Sequence, residues 1–380
     1  MLKNKIYKYL TIEILKSFIT ILFAFTAIAW TVKAVNFMDL MVEDGYSVLT
    51  YFQYTLFNIS SIMTRFIPLS FLLALILSIV KFERQSELII LWTSGLNKTK
   101  IVHLFFLISV FITFMQIILA VIITPTALNK SRALLKSTEV QLISSLIKSN
   151  DFSDSFSGVT IYVESKEENG ELNKIFIRDD GNAFGTIISE SENKKNTTII
   201  ADRGKIEKQK LVLYNGLIQS QNQSDEIENM NFSKTELSLN QMYTRTIVDP
   251  KIQETSSFLL LQCIVHKHNF EKFLQVCPYK ENAQEVMETI SRRIGMPLYI
   301  PLISLLASFI LIYKKEKKFN FLQKYIYFMI GFLILLFAEV MVRFTGFSDL
   351  NASIYFLFPF LLMPIVYLIL YRNFITEKNK

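Results

Sequence analysis

The sequence predicts an α-helical membrane protein of six spans, with an all-β domain inserted between the third span and the fourth. Three observations predict it. Hydrophobic residues make up 51% of the 380 and are gathered into six blocks, each long enough for the about 20 helical residues that cross a bilayer. Lys and Arg fall in alternate connections between those blocks. From residue 156 the apolar period shortens from the helical value to two, as in β-strands.

The blocks lie at roughly 14–34, 59–80, 101–123, 294–313, 325–344 and 352–371. The first is read as a retained span. Ala27 and Ala29 give a small-x-small pattern, but the apolar run begins before Phe18 and reaches Val32, longer than a signal core. The third, IVHLFFLISVFITFMQIILAVII, holds one histidine and no formal charge. Pro297 and Pro301 in the fourth, and Pro359 and Pro364 in the sixth, are tolerated where neighbours satisfy the freed carbonyls.

Sidedness follows from the basic residues. Lys3, Lys5, Lys8 and Lys16 precede or open the first span, and Lys81, Arg84, Lys98 and Lys100 lie between the second and third. Lys314, Lys315, Lys317, Lys318 and Lys324 follow the fourth, and Arg372, Lys378 and Lys380 end the chain. The alternate connections 35–58 and 345–351 contain none, so both termini are expected in the cytoplasm and 124–293 on the far side. The net charge of +7 is thus spent beside apolar blocks, which argues against nucleic acid as a partner.

The stretch KFERQSELIILWTSGLNKTK, 81–100, is too short in apolar residues to span. Leu88, Leu91 and Trp92 form a ridge at i, i+3, i+4, Glu87 can fix register against a basic partner, and Gly95 can end the helix. On the residues alone, docking to a partner and lying in the headgroups are equally open.

In the outer segment, 126–150 places Leu128, Leu135, Leu142 and Leu146 at helical spacing. Short β-rich runs over about 152–245 are separated by ENG, DDG and NG turn signals, giving a sandwich, a jelly roll or a curled sheet. The bridge 250–290 is expected to be helical in part. Cys263, His266, His268 and Cys277 suggest zinc by chemistry, but their spacing matches no zinc motif, so packed helix residues are expected and no metal site is predicted. A disulfide is chemically open in an oxidising compartment and cannot be read from spacing.

No phosphate loop, nucleophile elbow or H-E-x-x-H pair occurs, and no histidine lies between 150 and 250. No catalytic residue is predicted; any ATP consumed is bound by another subunit. Lys33, Arg65, Glu339 and Arg343 lie in or near the outer halves of spans, where an ionisable group usually has a partner or a task. Glu339 and Arg343, four apart on one helix face, can pair with each other. Lys33, Arg65 and Arg343 together suggest a basic mouth suited to lipid phosphates.

IYKYLTIEILKSF, IPLSFLLALILSI, SELIILWTSGLNKTKI and SRRIGMPLYIPLISLLASF, in that order and spacing, resemble the LptF/LptG permeases of the ABC-type lipopolysaccharide exporter, closer to the LptF branch. The resemblance runs essentially end to end. It implies an inner-membrane permease with three spans in 1–123, a periplasmic domain in 124–293 with a β-jellyroll, and three spans and a cytoplasmic tail in 294–380. It also implies a second LptF/LptG-type subunit, an LptB-type ATPase dimer using ATP and Mg, a bitopic LptC-type protein, an LptA-type periplasmic bridge, and lipopolysaccharide as cargo. Residues 83–95 then become the coupling helix that docks on the ATPase, with Glu87 at the family's acidic position. Lys33 matches a basic position implicated in contacting the lipid's phosphates. This chain has Asn36 where the branch often has a second cation, and Arg65 and Arg343 are inferred to compensate. The rival readings are an ABC permease extruding lipoproteins or peptides, and a membrane-anchored receptor or assembly scaffold.

Overall fold

The structure, a computed structural model, describes residues 2–42, 46–146, 149–156, 158–167, 171–180, 194–207, 210–222, 227–238, 251–269, 272, 277, 283–312 and 317–378. The side chains of Leu142 and Leu146, the ENG turn, Gly181 of DDG, and Lys314, Lys315 and Lys380 lie outside what is described. The chain forms two compact units: a helical unit of 1–32, 57–129 and 251–380, and a sheet-bearing unit of 33–56 and 130–250.

Among the described residues six helical segments are long and apolar enough to cross a membrane: Lys5–Val42, Val48–Arg84, Lys98–Leu135, Ala283–Leu311, Gln323–Phe344 and Asp349–Thr376. They contain the six apolar blocks almost entirely and overrun most of their ends. Hydropathy marks the thickness of the bilayer, whereas the backbone ladder continues until something breaks it.

The fourth span is the hub. Every residue from Tyr299 to Ala307 is buried, as a helix that is apolar all round must be. The first span buries a single stripe, Leu10, Ile14, Phe18 and Leu22, and leaves Ile19, Phe23 and Ile28 exposed. Residues four apart share a face, so this helix is held along one seam.

Prolines explain much of the packing. Each removes an N–H and leaves free the carbonyl four residues earlier. Pro68 frees Thr64 O, which Gln116 Nε2 donates to at 3.0 Å. Pro125 frees Val121 O, which Ser257 Oγ reaches at 2.9 Å. Pro301 frees Pro297 O, met by Thr113 Oγ1 at 3.3 Å, and Pro359 frees Tyr355 O, met by the Tyr299 hydroxyl at 3.0 Å. The cross-helix hydroxyls and amide therefore satisfy the backbone and pin neighbouring spans together. Wide π-helical turns precede two of these prolines, at Leu119–Ile123 and Ser291–Gly295.

Cys263 and Cys277 are joined in a disulfide, with Cα atoms 5.0 Å apart, inside a small core with Ile252, Leu260, Val286 and Ile290. Cys263 is packed as the sequence suggested, but the sulfurs are bonded to each other; the pairing rests on a three-dimensional approach of the chain that spacing does not record.

In the other unit six strands, β1 (Asp151–Phe156), β2 (Val159–Lys166), β3 (Glu171–Asp179), β4 (Lys194–Glu207), β5 (Lys210–Asn222) and β6 (Ile227–Ser238), pair antiparallel in chain order. The predicted fold class, membrane helices plus a β domain, is the one observed, and the described strands make one six-stranded antiparallel sheet. Val159, Ile161 and Val163 of β2 alternate inward, as one buried face requires. The inward phase slips by one residue between Leu172 and Ile175 and between Leu213 and Ile218. Lys174 and Asn215, each at φ +47°, sit at those slips and bend the sheet, and Gly216 is held small by Ile200 O and Phe232, which a Cβ would meet at 2.3 and 2.4 Å.

Candidate functional site

Two places in the helical unit bring the predicted residues together. The first is a short helix, Glu87–Thr93, here called the corner helix, which follows the second span after a turn at Gln85 and Ser86. Ser86 takes φ +60°, left-handed for a residue with a side chain, so the chain reverses sharply. At the far end Gly95 takes φ +81°, its N–H reaching Trp92 O at 3.1 Å and that of Leu96 reaching Leu91 O at 3.2 Å. These two bonds form a Schellman motif, and the buried Leu96 supplies its apolar contact.

Five consecutive apolar residues wrap a helix all round, and the structure decides which go inside. Leu88 and Leu91 are buried in the main helical core and Trp92 packs against it. Ile89 and Ile90 point outward, 61% and 63% exposed. The ridge of Leu88, Leu91 and Trp92 therefore keys the corner helix into its own unit, and the face open to a partner is Ile89 and Ile90 beside half-buried Glu87. Lys98 lies over the Trp92 ring at 5.5 Å and over Phe374 at 5.9 Å, tying the start of the third span to the sixth.

Charges knit this corner to other spans. The Tyr9 hydroxyl donates to Glu87 at 3.0 Å, Lys81 pairs with Glu13, and Lys324 pairs with Glu83 at 2.7 Å. Spans one, two and five thus meet at the end that carries the corner helix. Beneath it a cavity of about 520 Å³ is lined by Leu88, Ile89, Trp92 and Lys98 together with Ile310 and Lys324.

The second place is a polar chamber of about 80 Å³ between spans two, three, four and five, lined by Arg65, Gln116, Thr124, Arg292 and Glu339 among others. On spacing alone Glu339 can pair with Arg343 on its own helix. Its ion-pair partner among the described residues is instead Arg292 at 2.9 Å, because that guanidinium projects from the π-helical turn opposite, and Arg343 stays exposed outside the chamber. Arg292 also reaches Glu288 at 3.2 Å. The adjacent Arg293 is buried and fully employed: it donates to Gln253 O, Thr255 O and Ser257 Oγ at 2.8, 3.0 and 2.6 Å. Ser257 is the residue that caps Val121 O, so Arg293 braces the wall of the chamber.

Of the three predicted phosphate contacts, Arg65 lines the chamber and Arg343 does not. Lys33 lies in the last turn of the first helix, within the sheet-bearing unit. Arg292 was missed because, beside the fourth apolar block, it passes for a flanking cation. The pair of arginines at 292 and 293, one braced and one turned to a carboxylate, is the signal that was there to find.

Among the described residues the first place presents an exposed apolar face at Ile89 and Ile90, and the second a charged pocket. A family model described as lipopolysaccharide export system permease LptF/LptG matches residues 8–373, nearly the whole chain. The chain is also similar to the uncharacterized protein RP871 of Rickettsia prowazekii (strain Madrid E), 26% identical over 180 residues, or 46% of this chain and 49% of that protein. It thus spans about half the length of that curated relative. With six membrane-spanning helices, an antiparallel sheet between the third and fourth, and a family match that covers both, this chain belongs to the LptF/LptG family of lipopolysaccharide export permeases.

Proposed function

We propose that this chain is an LptF-like permease subunit of an ATP-driven exporter. It extracts lipopolysaccharide from the periplasmic leaflet of the inner membrane and passes it to a periplasmic β bridge. The observation that carries this reading is the family match from 8 to 373 over a chain with the family's six spans. Its partners are a second LptF/LptG-type subunit, an LptB-type ATPase dimer that holds the ATP and Mg, an LptC-type bitopic protein and an LptA-type bridge. The basic residues favour cytoplasmic termini. A disulfide in the connector between sheet and fourth span fits an oxidising periplasm on that side.

The corner helix is the coupling element. Closure of the ATPase presses on Ile89, Ile90 and Glu87. The inward keys Leu88, Leu91 and Trp92 pass that push into the packed spans, and the Glu13–Lys81 and Glu83–Lys324 pairs carry it to the first and fifth. Gly95 and the Ser86 turn fix the helix's direction at both ends. Movement of those spans collapses a lateral cavity for the lipid, and Lys33, Arg65 and Arg343 are the basic residues that contact its phosphates. Lifting acyl chains out of a bilayer is uphill by about 0.8 kcal/mol per CH₂, which is why ATP is needed. The apolar face of the sheet gives those chains somewhere to go.

Glu87→Lys tests the coupling. The variant is expected to insert normally and to lose most ATPase activity recovered with the purified complex. Undiminished recovery and export would overturn the docking role.

A further inference from the structure

The polar chamber holds more hydrogen-bonding capacity than a structural ion pair uses. Arg292 meets Glu288 and Glu339 through Nη2, while its Nε is buried with no partner among the described residues. Gln116 is 3% exposed; its Nε2 caps Thr64 O, and its Oε1 has no partner among the described residues. The Thr124 hydroxyl, on a residue 8% exposed, likewise has no partner among them. Arg65 lines the same cavity and makes no ion pair among the described residues. Arg65 and Arg292 therefore share the cavity with the Glu339 carboxylate, Glu288 holding Arg292 from beside it, in a wall built from two π-helical turns, a geometry often found where a helix opens to a ligand.

We propose that this chamber is a binding subsite for a phosphoryl group, and that Glu339 is an internal stand-in which the arriving phosphate displaces from Arg292. The inference rests on the export reading above, under which the phosphate belongs to a lipid headgroup. A phosphoryl group has the acceptor oxygens that Arg65 and the open Nε side of Arg292 call for, and planar forks bind it in two-bond fashion. Gln116 Oε1 can only accept, which suits the proton of a singly protonated phosphate. A cavity of about 80 Å³ is worth two or three waters at about 30 Å³ each, so the phosphoryl group enters and the sugar stays outside. Glu339 is on the fifth span and Arg292 at the start of the fourth. Displacement thus unties the fifth span when cargo is present.

The test uses the full-length chain with its co-purifying partners in phosphatidylethanolamine nanodiscs. Binding is measured for bis-phosphorylated lipid A, for its dephosphorylated form, and in competition with millimolar inorganic phosphate. Glu339→Gln removes the rival anion and is expected to tighten binding of the phosphorylated lipid about tenfold, with no change for the dephosphorylated one. Arg292→Lys keeps the charge and the fold but loses the fork, and is expected to weaken binding several-fold; a melting curve confirms folding. Equal affinity of the native chain, Glu339→Gln and Arg292→Lys overturns the subsite. If Lys33→Glu still weakens binding in that case, the export reading stands alone; if it does not, the phosphate-contact part of that reading falls too. Competition by inorganic phosphate without any preference for the phosphorylated lipid overturns the lipid source. Lipid preference with no such competition is the expected result.

Discussion

The corner helix and the polar chamber lie at opposite ends of the second span, about 27 Å apart from Arg65 to Glu83 at 1.5 Å per residue. They differ in how their polar groups are met. At the corner the charged groups are paired and one member of each pair is exposed: Lys81 at 45% against Glu13 at 18%, and Glu83 at 41% against Lys324 at 20%. Such pairs contribute roughly 0–1 kcal/mol each, so packing of Leu88 and Leu91 sets the geometry while the charges set direction. In the chamber Arg65 and Glu339 are also exposed, Glu339 at 49%, but Gln116 Oε1, Thr124 Oγ1 and Arg292 Nε are buried with no partner among the described residues. On the proposed roles, the corner holds its charges in pairs beside an exposed apolar face, and the chamber keeps buried polar atoms open to a ligand.

That contrast can be broken by substitution. The largest expected effect is at the braced wall: Arg293→Leu strips the donors from Gln253 O, Thr255 O and Ser257 Oγ and is expected to destabilise the helical unit by about 3 kcal/mol, read from melting in detergent. Next comes the corner. Gly95→Val has open space around its Cβ but must adopt a left-handed backbone, at about 1–2 kcal/mol, and is expected to depress coupled ATPase activity more than stability. A Gly95→Val chain with native coupling would show that the helix end tolerates redirection.

The smallest effect is on the sheet, where charges are fully wet. Hydrogen bonds from Lys210 and Lys234 hold the Glu236 carboxyl below the usual carboxylate range. Its folded pKa lies below the unfolded value, so its contribution is present near neutral pH and lost as pH falls through that lowered value. Glu236→Gln is expected to leave melting at pH 7 unchanged and to flatten its dependence on pH below about 4.

The sequence made the spans legible because bilayer thickness imposes a run length, and the sheet legible because one buried face imposes alternation. Strand order was not legible, since turn signals mark where strands reverse and not how a sheet curls. The facing of the corner helix was hidden for a simple reason: with Leu88 to Trp92 all apolar, no period distinguishes Leu88 and Leu91 from Ile89 and Ile90. Glu339 could be matched to Arg343 because local spacing is visible in a sequence and the approach of Arg292 from another helix is not. The prolines were the opposite case. Of the four named from the sequence, Pro301 and Pro359 free Pro297 O and Tyr355 O, which found donors on neighbouring elements, as did Thr64 O and Val121 O before Pro68 and Pro125.

Site-specific photo-crosslinking around the corner helix in native membranes tests the central claim most directly. With the crosslinker placed in turn at 88, 89, 90 and 91, the coupling account predicts capture of a nucleotide-hydrolysing subunit, identified by mass, from 89 and 90 and not from 88 or 91. Capture of that subunit from none of the four positions, or labelling of Ile89 and Ile90 only from the periplasmic side, would contradict it.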